Sequence, residues 1–190
     1  MVVCGVSTRK VKHVVETLCG KSISKSSISK VCKVLDKDVK EFKNRRLSGF
    51  YPFVTLDAIY LKVRVNHRIV SRALMVAYAT NDAGRREIIG FDVYEEESRR
   101  TWTDFLQGLK ERGLVSPLMI TSDAHKGMLH AIAKVYPLCP WQRCQFHFAR
   151  NILDGVPKQY ETAVSDKLRE LFTCDTIGKA RKKKEEIIEE

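Results

Sequence analysis

Asp57 and Asp123 are the residues whose type and placement point most directly to chemistry. Asp57 sits inside a run rich in β-branched and aromatic residues, Pro52 to Val65, where Leu61, Val63 and Val65 alternate with Lys62 and Arg64 as in a half-buried strand. It shares strand parity with Phe53, Ile59, Leu61 and Val63, so the pattern turns its carboxylate to the apolar side unless a bulge intervenes. A lone buried carboxylate is expensive, and a bound divalent cation offsets that cost. Asp123 follows a short apolar run, Leu118 to Ser122, which puts it at the carboxyl end of a second strand, where α/β sheets place their ligands. Two such carboxylates on neighbouring strands can share hard, oxygen-seeking ions such as Mg²⁺. Such ions activate a water or a 3′-hydroxyl and stabilise the leaving oxygen in phosphodiester chemistry. The competing reading pairs Asp57 with Arg64 or Arg72 and makes Asp123 the cap of the helix that follows it.

Cys144-Gln145-Phe146-His147 has C-x2-H spacing, half of a zinc site. Cys139 is near, but no second well-spaced Cys/His pair follows, so the alternative is a packed strand-to-helix corner in which His147 hydrogen-bonds a neighbour. His125, two residues after Asp123, is placed either to orient a phosphate or water or to face solvent from a helix.

The elements that must position these groups follow from periodicity. Pro52 to Val65, Ser71 to Thr80 and Arg86 to Tyr94 read as three strands of an antiparallel meander, turned at Asn66-His67-Arg68 and at Asn81 to Gly84. Trp102, Phe105, Leu106 and Leu109 then mark a helix capped by Ser98 and closed by Gly113. A strand follows over Leu118 to Ser122, a helix over His125 to Tyr136 stopped by Pro137, a short strand around Trp141 to Cys144, and a helix through Phe148 to Leu153. Three strands and then helix, strand, helix, strand, helix is the order of a ribonuclease-H-like α/β fold with a mixed sheet.

The chain has 190 residues, a formal charge of +11 and 44% hydrophobic residues, enough to bury a core and too ordered in composition for a disordered or low-complexity protein. Its longest apolar stretch, Ala73 to Ala79, is too short to span a bilayer, and no cleavable leader follows Met1, so the expectation is a cytoplasmic protein with free thiols at Cys4, Cys19, Cys32, Cys139, Cys144 and Cys174. Residues 1 to 50 hold twelve Lys+Arg against four Asp+Glu, so most of the excess charge lies there, as phosphate neutralisation requires. Val11, Val14, Val15 and Leu18 form one short amphipathic helix, closed at Gly20. Ile28, Val31, Cys32, Leu35, Val39 and Phe42 form a second, opened by Ser24 or Ser26 and running to about Lys43. The pair is a helix-turn-helix candidate in which Arg9, Lys10, Lys25, Ser26, Ser27 and Lys30 reach DNA, with Cys19 and Cys32 in its core; the alternative is a plain helical hairpin with a solvated basic face.

Four ordered blocks carry a further likeness. Leu56-Asp57-Ala58-Ile59-Tyr60-Leu61-Lys62-Val63-Arg64, Asn81 to Gly90, Thr121-Ser122-Asp123-Ala124-His125-Lys126-Gly127 and Trp141-Gln142-Arg143-Cys144-Gln145-Phe146-His147 through Asn151 closely resemble the Mutator-type transposases of prokaryotic insertion sequences. The resemblance runs over nearly the whole chain, and the basic opening Val6 to Val11 looks like that family's helix-turn-helix region. It implies a DDE metal site for Mg²⁺ or Mn²⁺ with Asp57 as first acid and Asp123 as second. It also implies that Cys144 and His147, with Arg143 and His125 nearby, belong to a structural or DNA-proximal signature and not to a zinc site. The family's third acid, a glutamate beyond an inserted helical domain, has no match here.

The resulting expectation is a central fragment: a helix-turn-helix DNA-binding segment over 1–48, an incomplete catalytic core over 49–156 and the start of a helical insertion over 157–190. Arg181 to Lys184 followed by Glu185, Glu186, Glu189 and Glu190 opposes the helix dipole and reads as a helix cut off. In the complete enzyme, an oligomer associated with the nucleoid, the expected activity is cleavage at element ends and strand transfer into target DNA. The fragment alone is expected to be almost inactive, whether a degenerate gene product or a partial piece. The rival reading is a DNA-binding repressor of transposition without catalysis.

Overall fold

The sheet is built around a parity that the apolar pattern did not announce. In β1 (Phe53–Val65) the residues that enter the core are Val54 and Leu56, each 1% exposed, while Phe53, Thr55, Asp57 and Ile59 lie on the opposite, less covered face. The sequence pattern placed Asp57 on the apolar side, and the structure corrects this. The apolar residues that share its parity, Ile59, Leu61 and Val63, lie further out on the strand, where no described helix covers them. The computed structural model describes residues 35–189 together with His13, Glu16, Thr17, Ser24, Ser26, Ser27, Lys30 and Lys33.

β1 runs antiparallel to β2 (Arg68–Thr80) through thirteen paired positions, from Phe53 opposite Thr80 to Val65 opposite Arg68. The turn between them consists of Asn66 and His67, both at positive φ (47° and 65°), as a two-residue hairpin with the right-handed strand twist demands. β2 in turn pairs antiparallel with β3 (Arg86–Tyr94), with an irregularity between Ala77 and Tyr78. β4 (Met119–Ser122) lies parallel to the other edge of β1, and β5 (Trp141–Arg143) lies parallel to β4. The order β3-β2-β1-β4-β5, with three antiparallel strands and two parallel ones, is that of a ribonuclease-H-like fold, as the element order predicts.

Helices α2 (Arg99–Glu111) and α3 (Lys126–Val135) supply the core that faces Val54, Leu56, Met75, Ala77 and Ile120. The buried stripe of α2 is Trp102, Phe105, Leu106 and Leu109, and that of α3 is Met128, Ala131, Ile132 and Val135, both at helical spacing. Ser98 caps α2 in a capping box: its Oγ accepts from Thr101 N (3.3 Å) and Thr101 Oγ1 accepts from Ser98 N (2.9 Å). Gly127 lets α3 start against that cap, since a Cβ there would stand 2.8 Å from the Arg99 backbone nitrogen. The chain continues through α4 (Gln145–Leu153), α5 (Glu161–Phe172) and α6 (Ile177–Glu189). α4 meets α5 through the edge-to-face pair Phe148 and Phe172, and Lys183 of α6 pairs with Glu170 of α5 at 2.5 Å. Within α6 the charge order that opposes the dipole is met by local pairs, Lys182 and Lys183 with Glu186.

The chain divides into two compact units, Met1–Leu47 and Ser48–Glu190. In the first, Ser24 Oγ accepts from Ser27 N at 3.0 Å, the geometry of an N-cap at one of the two expected positions. The second expected helix is not continuous. Lys33 stands in a turn, its N–H donating to Lys30 O and its carbonyl accepting from Asp36 N, and α1 occupies Leu35–Asn44 with no buried residue. Phe42 in α1 carries the Arg45 guanidinium 4.7 Å above its ring. The expected first helix, and Arg9, Lys10, Lys25, Cys19 and Cys32, lie outside the described residues. Among the described residues no helix is long and apolar enough to cross a membrane, and Cys139, Cys144 and Cys174 are free thiols.

Leu106 is 1% exposed between α2 and the sheet, so Leu106→Ala should cost about 3 kcal/mol of stability, read from the shift of a urea unfolding midpoint at unchanged slope.

Candidate functional site

The pairing of β1 with β4 ends just short of both aspartates. The parallel register runs Phe53 to Met119, Val54 to Ile120 and Thr55 to Thr121. Asp57 lies two residues beyond Thr55 and Asp123 two residues beyond Thr121, so both follow the last pair of this ladder by the same count. Asp57 is still inside β1, whereas Asp123 follows the last residue of β4.

Both carboxylates are held in the same way. Asp57 Oδ1 accepts from Ala58 N at 2.9 Å and Asp123 Oδ1 accepts from Ala124 N at 2.6 Å, while Oδ2 of each makes no hydrogen bond to a described residue. Neither competing role is realised. Arg72 pairs with Glu95 at 2.7 Å, and Arg64 makes no ion pair with a described residue, so neither neutralises Asp57. The N-cap position of α3 belongs to His125, with no side-chain cap bond, so Asp123 does not cap that helix. The Asp57 side chain is 41% exposed, and access from solvent replaces the burial penalty expected from its parity.

His147 is what approaches Asp57. Its Nε2 lies 3.9 Å from Asp57 Oδ1, too long for a hydrogen bond, and its buried Nδ1 has no partner among the described residues. It comes from the first turn of α4, whose N-cap is Cys144. With the Asn151 amide turned to satisfy both neighbours, its oxygen accepts from Arg143 Nη2 (2.7 Å) and its nitrogen donates to His147 O (3.3 Å). The Arg143 guanidinium also covers the Phe148 ring at 5.1 Å. The C-x2-H spacing therefore serves a strand-to-helix corner that delivers His147 to Asp57. Burial pushes the Cys139 thiol up from its ordinary value. Among the described residues no three His, Cys, Asp or Glu side chains stand close enough together to hold a metal.

The corner is pinned by Ser122, a fully buried hydroxyl. Ser122 Oγ donates to Asp123 O (2.8 Å) and accepts from Trp141 Nε1 (2.9 Å), and Ser122 O accepts from Cys144 N (2.7 Å). One residue thus links the end of β4, the start of β5 and the start of α4. On the other side of Asp123, His125 Nδ1 lies 3.3 Å from Glu97 Oε1, near enough for an ion pair when protonated but not aligned as a hydrogen bond. Glu97 Oε1 also accepts from Trp102 Nε1 at 3.0 Å. Sequence reasoning passed over Glu97, although it directly precedes the Ser98 cap at the end of the acidic run Glu95-Glu96-Glu97. Of the expected DNA-contacting residues in the first unit, Ser26, Ser27 and Lys30 are exposed, and both serine hydroxyls bond to Ser24 Oγ.

The chemistry of the donor set fits a small hard cation: two carboxylates, each with one oxygen that bonds no described residue, Asp57 open to solvent and Asp123 half-buried. Ser122→Ala would leave the Trp141 indole without its acceptor and free the Asp123 backbone, at a cost of about 1–3 kcal/mol, measurable by thermal or urea unfolding.

The family model described as "Transposase, Mutator family" matches residues 1–190. The transposase for insertion sequence element IS256 in transposon Tn4001 of Staphylococcus aureus is 44% identical over 189 residues, 99% of this chain and 48% of that protein. The transposase for ISRM5 of Rhizobium meliloti is 41% identical over 95% of this chain and 46% of its own length. Among solved structures, the chain is similar to the Drosophila P element transposase strand transfer complex, with a TM-score of 0.38 and 10% identity over 61% of this chain and 32% of that one. It is also similar to the HTLV-2 integrase catalytic core domain in complex with magnesium, with a TM-score of 0.34 and 16% identity over 62% of this chain and 85% of that one. The chain spans about half the length of the curated relatives it matches, and over that span it belongs to the Mutator family of transposases.

Proposed function

We propose that Asp57 and Asp123 are two carboxylate arms of a divalent-metal site, for Mg²⁺ or Mn²⁺, which serves DNA cleavage at insertion-sequence ends and strand transfer into target DNA. The observation that supports this reading is the parallel pairing of β1 with β4, which ends at Thr55 and Thr121, two residues before each aspartate, together with one carboxylate oxygen on each that bonds no described residue. When bound, the ion supplies activation of a water or 3′-hydroxyl and charge stabilisation at the leaving oxygen. The rest falls to the chain. The Ala58 and Ala124 amides fix the carboxylates, Ser122 fixes the backbone at Asp123, and His147 stands where it can accept or hold a proton beside Asp57. Arg143 and Asn151 hold that histidine's helix in place.

In this reading residues 1–48 bind DNA, residues 49–156 are the catalytic core, and residues 157–190 begin a helical insertion. The family's third acid lies in the part of its relatives that this chain does not span. The complete transposase acts as a homo-oligomer on element ends and target DNA, whereas the 190-residue chain binds DNA and cleaves it poorly. A second reading, repression by DNA binding without catalysis, is favoured by the concentration of positive charge before residue 51.

Mg²⁺-dependent nicking of duplex DNA separates them. In a protein extended by the remaining half of its relatives, Asp57→Asn or Asp123→Asn should lower nicking by at least a thousandfold, on the scale of losing a principal charge-stabilising group, while leaving DNA affinity in place. Unchanged nicking in both variants would exclude the metal role. No nicking by any form, together with binding that survives chelation and Asp57→Asn but is lost on neutralising Lys25 and Lys30, would establish the repressor. Robust cleavage by the 190-residue chain that Asp57→Asn abolishes would point to a third acid within it, such as Asp154 or Glu161.

A further inference from the structure

The β1–β2 hairpin is longer than the sheet that carries it. β4 pairs with β1 only from Phe53 to Thr55, and β3 pairs with β2 only from Ala73 onward. Among the described residues, Leu61–Val65 and Arg68–Arg72 therefore pair only with each other, a two-stranded ribbon that extends about 17 Å past the sheet, at about 3.3 Å per residue. Isolated two-stranded ribbons are marginal in water, so an arm of this length calls for a partner.

The charge on the arm indicates which one. From Ala58 to Asn81 there is no Asp or Glu, while Lys62, Arg64, His67, Arg68 and Arg72 all fall in the ribbon and its turn. Arg72 is engaged by Glu95, but Lys62, Arg64 and Arg68 make no ion pair with a described residue and are exposed. Cross-strand register puts Lys62 and Arg64 on one face, with Ser71 and Ile69, and Arg68 on the other, opposite Val65, with His67 at the tip. Positive charge therefore surrounds the end of the arm. A polyanion offering phosphates on two sides matches this arrangement, and the major groove of duplex DNA admits a two-stranded ribbon. The arm also grows out of the strand that carries Asp57, with Arg68, opposite Val65, on the Asp57 face and Lys62 and Arg64 on the other.

We propose that the β1–β2 ribbon is a second DNA-binding element, separate from the basic first unit, that grips the phosphate backbone through Lys62, Arg64 and Arg68. This rests on the reading of the protein as a DNA-acting transposase. The competing role for these cations is to guard an exposed apolar ribbon, with Leu61 and Ile69 40% and 66% exposed, against edge-to-edge association.

The test compares the 190-residue protein with its Lys62→Gln/Arg64→Gln/Arg68→Gln variant on short DNA duplexes of unrelated sequence, by fluorescence anisotropy between about 50 and 200 mM salt. Each lost phosphate contact removes about 0.9 from the slope of log affinity against log salt. The slope should therefore become shallower by about two to three, with affinity at 0.1 M salt falling on the order of a hundredfold equally for every sequence. A photocrosslinking residue in place of His67 should become covalently attached to duplex DNA, and this decides the matter if the triple variant melts early. An unchanged slope in a folded variant, especially one that self-associates, overturns the ribbon's role and leaves the DNA reading intact. Failure of the unaltered protein to bind duplex DNA overturns both. Loss of binding seen only with duplex RNA overturns the assignment to DNA.

Discussion

Three parallel backbone pairs, Phe53 with Met119, Val54 with Ile120 and Thr55 with Thr121, set the geometry on which the functional reading depends. They bring strands that are distant in sequence into one register, and a slip of one residue would turn every following side chain to the other face. The register is secured by burial. Val54, Leu56, Ile120 and Ser122 all enter the side covered by α2 and α3, where Trp102, Leu106, Met128 and Ile132 complete the core. With that face fixed, Thr55, Asp57 and Thr121 lie on the opposite one, and Asp123 follows directly after the end of β4. The core thus places the acids without touching them.

Once the strands are aligned, the corner at Ser122 fixes the chain that follows β4. Its hydroxyl and carbonyl tie together Asp123, Trp141 and Cys144, so that β5 and α4 follow the end of β4 with little freedom. His147 then arrives beside Asp57 through the backbone geometry of α4, supported by Arg143 and Asn151. On the far side, Glu97 joins the Trp102 indole in the core to the His125 ring near Asp123. The positions around the two aspartates are thus occupied by residues whose own places are set by packing.

The order of elements was legible in the sequence because each strand and helix carries its own period: alternation in β1, helical spacing at Trp102, Phe105, Leu106 and Leu109, and a serine cap at Ser98. Asp57 and Asp123 could be singled out because a carboxylate in or at the end of an apolar strand needs a reason. The direction of Asp57 was not legible. Ile59, Leu61 and Val63 advertise an apolar face, yet Leu61 and Val63 belong to a ribbon beyond the sheet, and only tertiary packing shows that Val54 and Leu56 define the core side. The break at Lys33 was hidden for a similar reason, since Leu35 and Val39 keep helical spacing while remaining exposed. His147 beside Asp57 and Glu97 beside His125 are contacts between elements far apart in sequence, which no local period encodes.

The central claim, that Asp57 and Asp123 act as one cation site, is tested most directly by adding substoichiometric Mn²⁺ to the protein and recording which backbone amides broaden in its nitrogen–proton NMR spectrum. The amides of Ala58 and Ala124, each bonded to one of the carboxylates, should broaden first and together, and Asp57→Asn or Asp123→Asn should abolish both effects. Broadening confined to the acidic end of α6, or unaffected by either substitution, would contradict the account.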